Sequence, residues 1–113
     1  MPTATLCIDF DDTLRGRDDL PLQGAADALR RFRELGWEII VGSSRLDPTL
    51  WGDELHFRVD EIKQWLDRHG MPYDRVVCHK PAADLYIDDK AFRFEGDWPQ
   101  ASRVIEKLLE GIG

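Results

Sequence analysis

The sequence predicts an α/β fold: a three-layer sandwich on a mostly parallel, Rossmann-like sheet, with no cap domain. Three observations predict it. Apolar runs rich in strand formers alternate with stretches of helical periodicity. Each run stops abruptly in polar residues, as strands do at the ligand-binding rim of a parallel sheet. The intervals between runs hold little more than one helix each.

The elements follow in order. Residues 4–9, ATLCID, form the first strand, and LRGRDDLPLQG is a loop by its Gly, Pro and charge. Ala25, Leu29 and Phe32 recur at helical spacing up to Leu35, with Gly36 suited to the helix end. Residues 37–41, WEIIV, are a second strand, and 46–57, LDPTLWGDELHF, read as irregular. Val59, Ile62 and Leu66 mark a helix face that stops near Gly70 and Pro72. Residues 75–78 and 85–87 are the third and fourth strands, and 91–94 a short fifth. A last helix opens at Asp97 with Pro99 in its first turn, and buries Val104, Ile105, Leu108 and Leu109.

The 113 residues suffice for one domain with one core, taken as 1–113. A net charge of −7 argues against general binding to nucleic acid backbone or anionic lipid, which reward clustered Lys and Arg. It leaves a nucleic acid end free to enter a local site. No basic leader precedes an apolar run, and no uncharged stretch is long enough to span a membrane, so a cytoplasmic protein is expected. Cys7 and Cys78 are expected as buried free thiols. Trp37, Trp65 and Trp98 read as core or boundary aromatics, and His79 as an exposed loop residue.

The strand ends carry the chemistry. The first ends in Asp9, Asp11, Asp12 and Thr13, and the second in Ser43, Ser44 and Arg45. His79 and Lys80 close the third, and Asp88 and Asp89 the fourth. Two carboxylates about 4 Å apart repel by roughly 4 kcal/mol at an effective dielectric near 20. Several gathered at one rim call for a cation, and an all-oxygen donor set suits Mg²⁺. A carboxylate beside a metal, a hydroxyl and a lysine also suits phosphoryl transfer. The carboxylate attacks phosphorus, and positive charge neutralises the phosphoryl oxygens. Arg45 either touches a substrate phosphate or pairs with a nearby acid.

IDFDDTL, with Asp9, Asp11 and Thr13, resembles the D-x-D-x-T motif of the haloacid dehalogenase (HAD) superfamily of phosphohydrolases. VGSSR resembles the second motif of that family, and HKPAADLYIDDKA its third and fourth together. The matches run in the family's order from residue 5 to about 92. The resemblance implies Asp9 as nucleophile and Mg²⁺ ligand, and Asp11 as general acid and base whose backbone carbonyl binds the metal. It implies Ser43, the Ser44 amide, Lys80, Asp12 and Thr13 as the residues that bind the phosphoryl group. Asp89 is implied as a direct metal ligand and Asp88 as its partner, in an order the residues leave open. Asp12 stands where the family often has Gly, and adds negative charge.

Only 29 residues separate Thr13 from Ser43, and a helix and a strand use most of them. Between Ser43 and Lys80 there is room for a loop, a helix and a strand. Neither interval holds a lid, so the chain is similar to the small capless members, whose sites are open. The expected partner is a phosphorylated substrate: a bulky one, or a small metabolite if a second subunit of a homo-oligomer covers the site. Trp51 and His56 offer partial cover. The leading expectation is a Mg²⁺-dependent phosphatase. The alternatives are a phosphate-binding regulatory module without turnover and a phosphotransferase of the same fold. The order Lys80 before Asp88 argues against a receiver domain, in which the lysine comes last.

Overall fold

Six aliphatic side chains on neighbouring strands, among them Leu6, Ile8, Ile39 and Val41, alternate inward, and their burial dictates the sheet. The structure is a computed structural model and describes residues 4–110. Its strands are β1 (Thr5–Asp9), β2 (Glu38–Gly42), β3 (Arg75–Val77) and β4 (Leu85–Ile87). Its helices are α1 (Ala25–Glu34), α2 (Pro48–Trp51), α3 (Leu55–Arg68) and α4 (Trp98–Leu109). The strands form one parallel sheet in the order β3-β2-β1-β4. The architecture is therefore α/β, a four-stranded parallel sheet flanked by helices, consistent with a three-layer Rossmann-like sandwich.

The connections β1-α1-β2 and β2-α3-β3 run in the same direction, so their shared handedness puts both helices on one face. Leu29 of α1 and Ile62, Trp65 and Leu66 of α3 pack there on Leu6, Ile8, Ile39 and Val41. Cys7 and Ile40 alternate to the opposite face and are buried as well. The chain then returns from β3 to β4, on the far side of β1, through residues 78–84 alone. The strand order thus reverses beside β1, which is where such sheets open a crevice at their carboxyl ends.

Five expectations need correction. Cys78 is a free thiol but only half-buried, where Cys7 is buried. Residues 91–94 form no strand: Phe92 and Phe94 alternate like one, but no ladder pairs with them. Residues 46–57 are ordered helical turns, because Asp47 caps α2 by accepting the Thr49 N–H at 2.9 Å and Pro48 occupies its first turn. Leu108 and Leu109 are exposed, not buried, although Asp97 caps α4 as expected, accepting the Gln100 N–H at 3.0 Å. Trp98 is 66% exposed and so belongs to neither core nor boundary. No inserted domain follows β1 or β2, and no helix among the described residues is long and apolar enough to cross a membrane.

Candidate active site

Phe10, 1% exposed, packs edge-on against Trp65 at 5.2 Å and anchors the chain as it leaves β1. Its carbonyl accepts the N–H groups of Leu14 and Arg15, both at 3.0 Å, which forces the intervening residues into a tight loop. Asp12 takes the left-handed conformation there, with φ of 63°. Asp tolerates that region better than most residues. The Thr13 hydroxyl is buried in this loop without a hydrogen-bond partner.

Asp9 is the last residue of β1. Asp88 and Asp89 follow β4, the parallel neighbour of β1, so their tips emerge side by side. One carboxylate oxygen from each of the three lies within 4.8 Å of the others. Burial, then the charges of Asp88 and Asp89, push the Asp9 carboxyl up to about 6. Three acids this close are an all-oxygen donor set short of positive charge, which fits a small divalent cation.

The β2 tip supplies Ser43, which is buried and accepts the Arg45 N–H on its hydroxyl at 3.3 Å. Ser44 beside it is exposed and opens a single 3-10 turn, Ser44–Leu46. Asp9, Ser43, Ser44, Lys80 and Asp88 line one cleft of about 230 Å³ with Cys7, Cys78 and Tyr86. The Lys80 ammonium lies 4.4 Å above the centre of the Tyr86 ring, so a cation–π contact holds it at the wall.

Asp11 is placed differently. Its carboxylate accepts a two-pronged contact from Arg45, through Nη2 and through Nε at 2.9 Å, and a third from Arg15 at 3.2 Å. The hydrogen bond from Arg45 leads the causes that hold its carboxyl below the ordinary range. The ionised form of Asp11 is thereby favoured, and Asp11 is not among the three acids whose oxygens meet within 4.8 Å.

The structure thus brings Asp9, Ser43, Ser44, Lys80, Asp88 and Asp89 together. It leaves the side chains of Asp11, Asp12 and Thr13 in the adjoining loop. Trp51 and His56 do not line the cleft. Trp51 donates its indole N–H to the Arg45 carbonyl at 2.6 Å and carries the Arg58 guanidinium 4.1 Å over its ring. It braces the arginine that grips Asp11. Sequence reasoning missed Arg15, whose signal was its spacing four residues after Asp11. It also missed Tyr86, which alternation along β4 puts on the same sheet face as Cys7. Burial raises the Cys7 thiol above the ordinary range, which disfavours its thiolate.

No protein-family model matches the chain, and no curated protein matches it. Solved structures do. A protein from Vibrio cholerae is 29% identical, with 94% of this chain and 99% of that one covered and a TM-score of 0.60. A conserved protein from Bacteroides thetaiotaomicron is 21% identical, with 95% and 93% covered and a TM-score of 0.63. The second likeness is one of fold alone. Both likenesses extend over more than nine-tenths of the chain.

Proposed function

We propose that the chain is a Mg²⁺-dependent phosphomonoester hydrolase of the haloacid dehalogenase type, working through an aspartyl-phosphate on Asp9. The observation that carries this reading is the meeting of the Asp9, Asp88 and Asp89 carboxylates within 4.8 Å, in a cleft also lined by Ser43 and Lys80. Asp9, Asp88 and Asp89 would hold the metal, which when bound neutralises phosphoryl charge and keeps Asp9 ionised. Ser43 and Lys80 orient the phosphoryl group, and the ammonium offsets charge on its oxygens. An Asp9 oxygen attacks phosphorus, and the bond to the ester oxygen breaks. The departing alkoxide takes a proton from Asp11. Water then attacks the aspartyl-phosphate, giving its proton to Asp11 and releasing inorganic phosphate.

The two arginines on Asp11 suit the second step, where an ionised carboxylate accepts a proton. For the first step Asp11 must leave Arg45 and bind a proton. That pairing also favours a second reading, a module that binds phosphate without turning it over. A cleft of about 230 Å³ is small beside pockets that enclose whole ligands. It admits a phosphoryl group and leaves the rest of the substrate outside, which supports a bulky phosphorylated partner. Transfer to an acceptor other than water would use the same residues.

Release of inorganic phosphate from an aryl phosphate separates the readings. Turnover is expected only with Mg²⁺, and Asp9→Asn is expected to lower it at least about 10³-fold. Turnover that survives this substitution removes Asp9 as the nucleophile. Phosphate binding by the wild type with no turnover favours the binding module.

A further inference from the structure

Lys80 lies among residues 78–84, which form no helix or strand, and it is exposed. A lysine in such a segment carries its charge on a long flexible stem, and holding that stem in one direction costs entropy. Asp9 and Asp88 line the same cleft, yet among the described residues Lys80 pairs with no carboxylate. Its ammonium meets a ring instead, with Nζ 4.4 Å from the centre of Tyr86.

Tyr86 holds the same segment at a second point. Its hydroxyl donates to the Pro81 carbonyl at 2.6 Å, one residue beyond Lys80. Pro81 in turn restricts the Lys80 backbone to extended conformations. The tyrosine is itself fixed by β4, where it stands in parallel register with Cys7 of β1. Alternation along the two strands brings Cys7 and Asp9 to the face that Tyr86 occupies. The ring therefore stands on the pair of strands whose tips carry the acids, and at 39% exposure it remains open to the cleft.

We infer that Tyr86 is a positioning residue, whose ring holds the Lys80 ammonium and whose hydroxyl holds the backbone beside it, so that the charge faces an incoming phosphoryl group. This rests on the phosphoryl role proposed for Lys80. Tyr86 takes no part in making or breaking bonds, and its effect passes through Lys80. Phenylalanine at position 86 keeps the ring and loses only the hydroxyl; leucine keeps apolar bulk and loses both handles.

Two measurements test it. A proton NMR spectrum reads the geometry without any activity: the Lys80 ε-methylene protons are expected upfield of the ordinary lysine position in the wild type and in Tyr86→Phe, and at the ordinary position in Tyr86→Leu. Titration of the protein with inorganic phosphate in saturating Mg²⁺ reads the consequence. Tyr86→Leu is expected to weaken phosphate binding by about 3- to 10-fold, and Tyr86→Phe by less than about 2-fold. In a Lys80→Met background, Tyr86→Leu is expected to cause no further loss. Equal weakening in both backgrounds makes Tyr86 a structural residue and overturns the inference. So does a phosphate affinity indifferent to Tyr86→Leu, or a wild type whose Lys80 protons sit at the ordinary position. Should Tyr86→Leu fail to fold, the spectra of the wild type and Tyr86→Phe decide. The expected pattern of phosphate binding without turnover of an aryl phosphate rejects the hydrolase and keeps the role of Tyr86, whereas a wild type that binds no phosphate overturns both.

Discussion

At the scale of single residues, the site is arranged around groups that the free chain would not choose. The Asp9 carboxyl, raised to about 6, binds its proton more tightly in the fold than in the unfolded chain, where about 3.9 is ordinary. Without metal, stability therefore falls as pH rises from about 4 to 6, because the folded state holds the proton over that window. Asp9→Asn is expected to stabilise the metal-free protein above pH 6 by about 1–2 kcal/mol, allowing for solvent screening, and to have no effect near pH 4. Urea unfolding at both pH values, with and without Mg²⁺, checks this, and saturating Mg²⁺ should abolish the advantage. The buried Thr13 hydroxyl makes no hydrogen bond, so Thr13→Val keeps the shape and removes an unsatisfied group. It is expected to be neutral or to stabilise by up to about 1 kcal/mol, read from the same unfolding curves. A loss above 1 kcal/mol would mean that the hydroxyl has a partner in solution.

At the scale of elements, the two short outer strands are pinned by an aspartate placed just before each. Asp74 accepts the Ile39 N–H at 2.7 Å and the Arg33 guanidinium at 2.8 Å, joining α1, β2 and the start of β3. Asp84 accepts the Thr5 N–H at 2.7 Å and returns its own N–H to the Thr5 carbonyl at 2.8 Å. These clamps set the register that brings the strand tips level. Partial burial pushes the Asp74 carboxyl up, but the Ile39 N–H and Arg33 more than offset it and leave it below the ordinary range. Its contribution is therefore full above about pH 3.9 and is lost as pH falls through the lowered value. Asp74→Ala is expected to cost about 1–3 kcal/mol at neutral pH, with the difference shrinking in acid; thermal unfolding across pH reads it out. Neither clamp was legible in the sequence, because each links residues more than thirty positions apart. Strands β1 to β4, the Asp97 cap of α4, the glycines that end α1 and α3 and the convergence of Asp9, Ser43, Lys80, Asp88 and Asp89 were legible, since they rest on local periodicity and on one rule of sheet topology. The exposure of Leu108 was not, because periodicity reports that a helix has an apolar face and says nothing of what meets it. The Arg15 and Arg45 grip on Asp11 depends on how tightly the loop after Phe10 turns, which no spacing rule supplies.

At the scale of the whole molecule, the reversal of strand order beside β1 places one carboxylate from its tip against two from β4, with β2 closing the cleft through Ser43. Among the described residues no lid covers this rim, so under the proposed function catalysis would fall to side chains that the sheet itself positions, and selectivity to groups outside a small cleft. The central claim is that phosphorus passes through a covalent bond to Asp9. The measurement that tests it most directly is acid quenching during turnover of an aryl phosphate with Mg²⁺, then borohydride reduction and peptide mapping. An aspartyl-phosphate is reduced to homoserine, so a mass change confined to position 9 is expected, and absent without Mg²⁺. Phosphate release with position 9 unmodified, or with the label on another residue, would contradict the account.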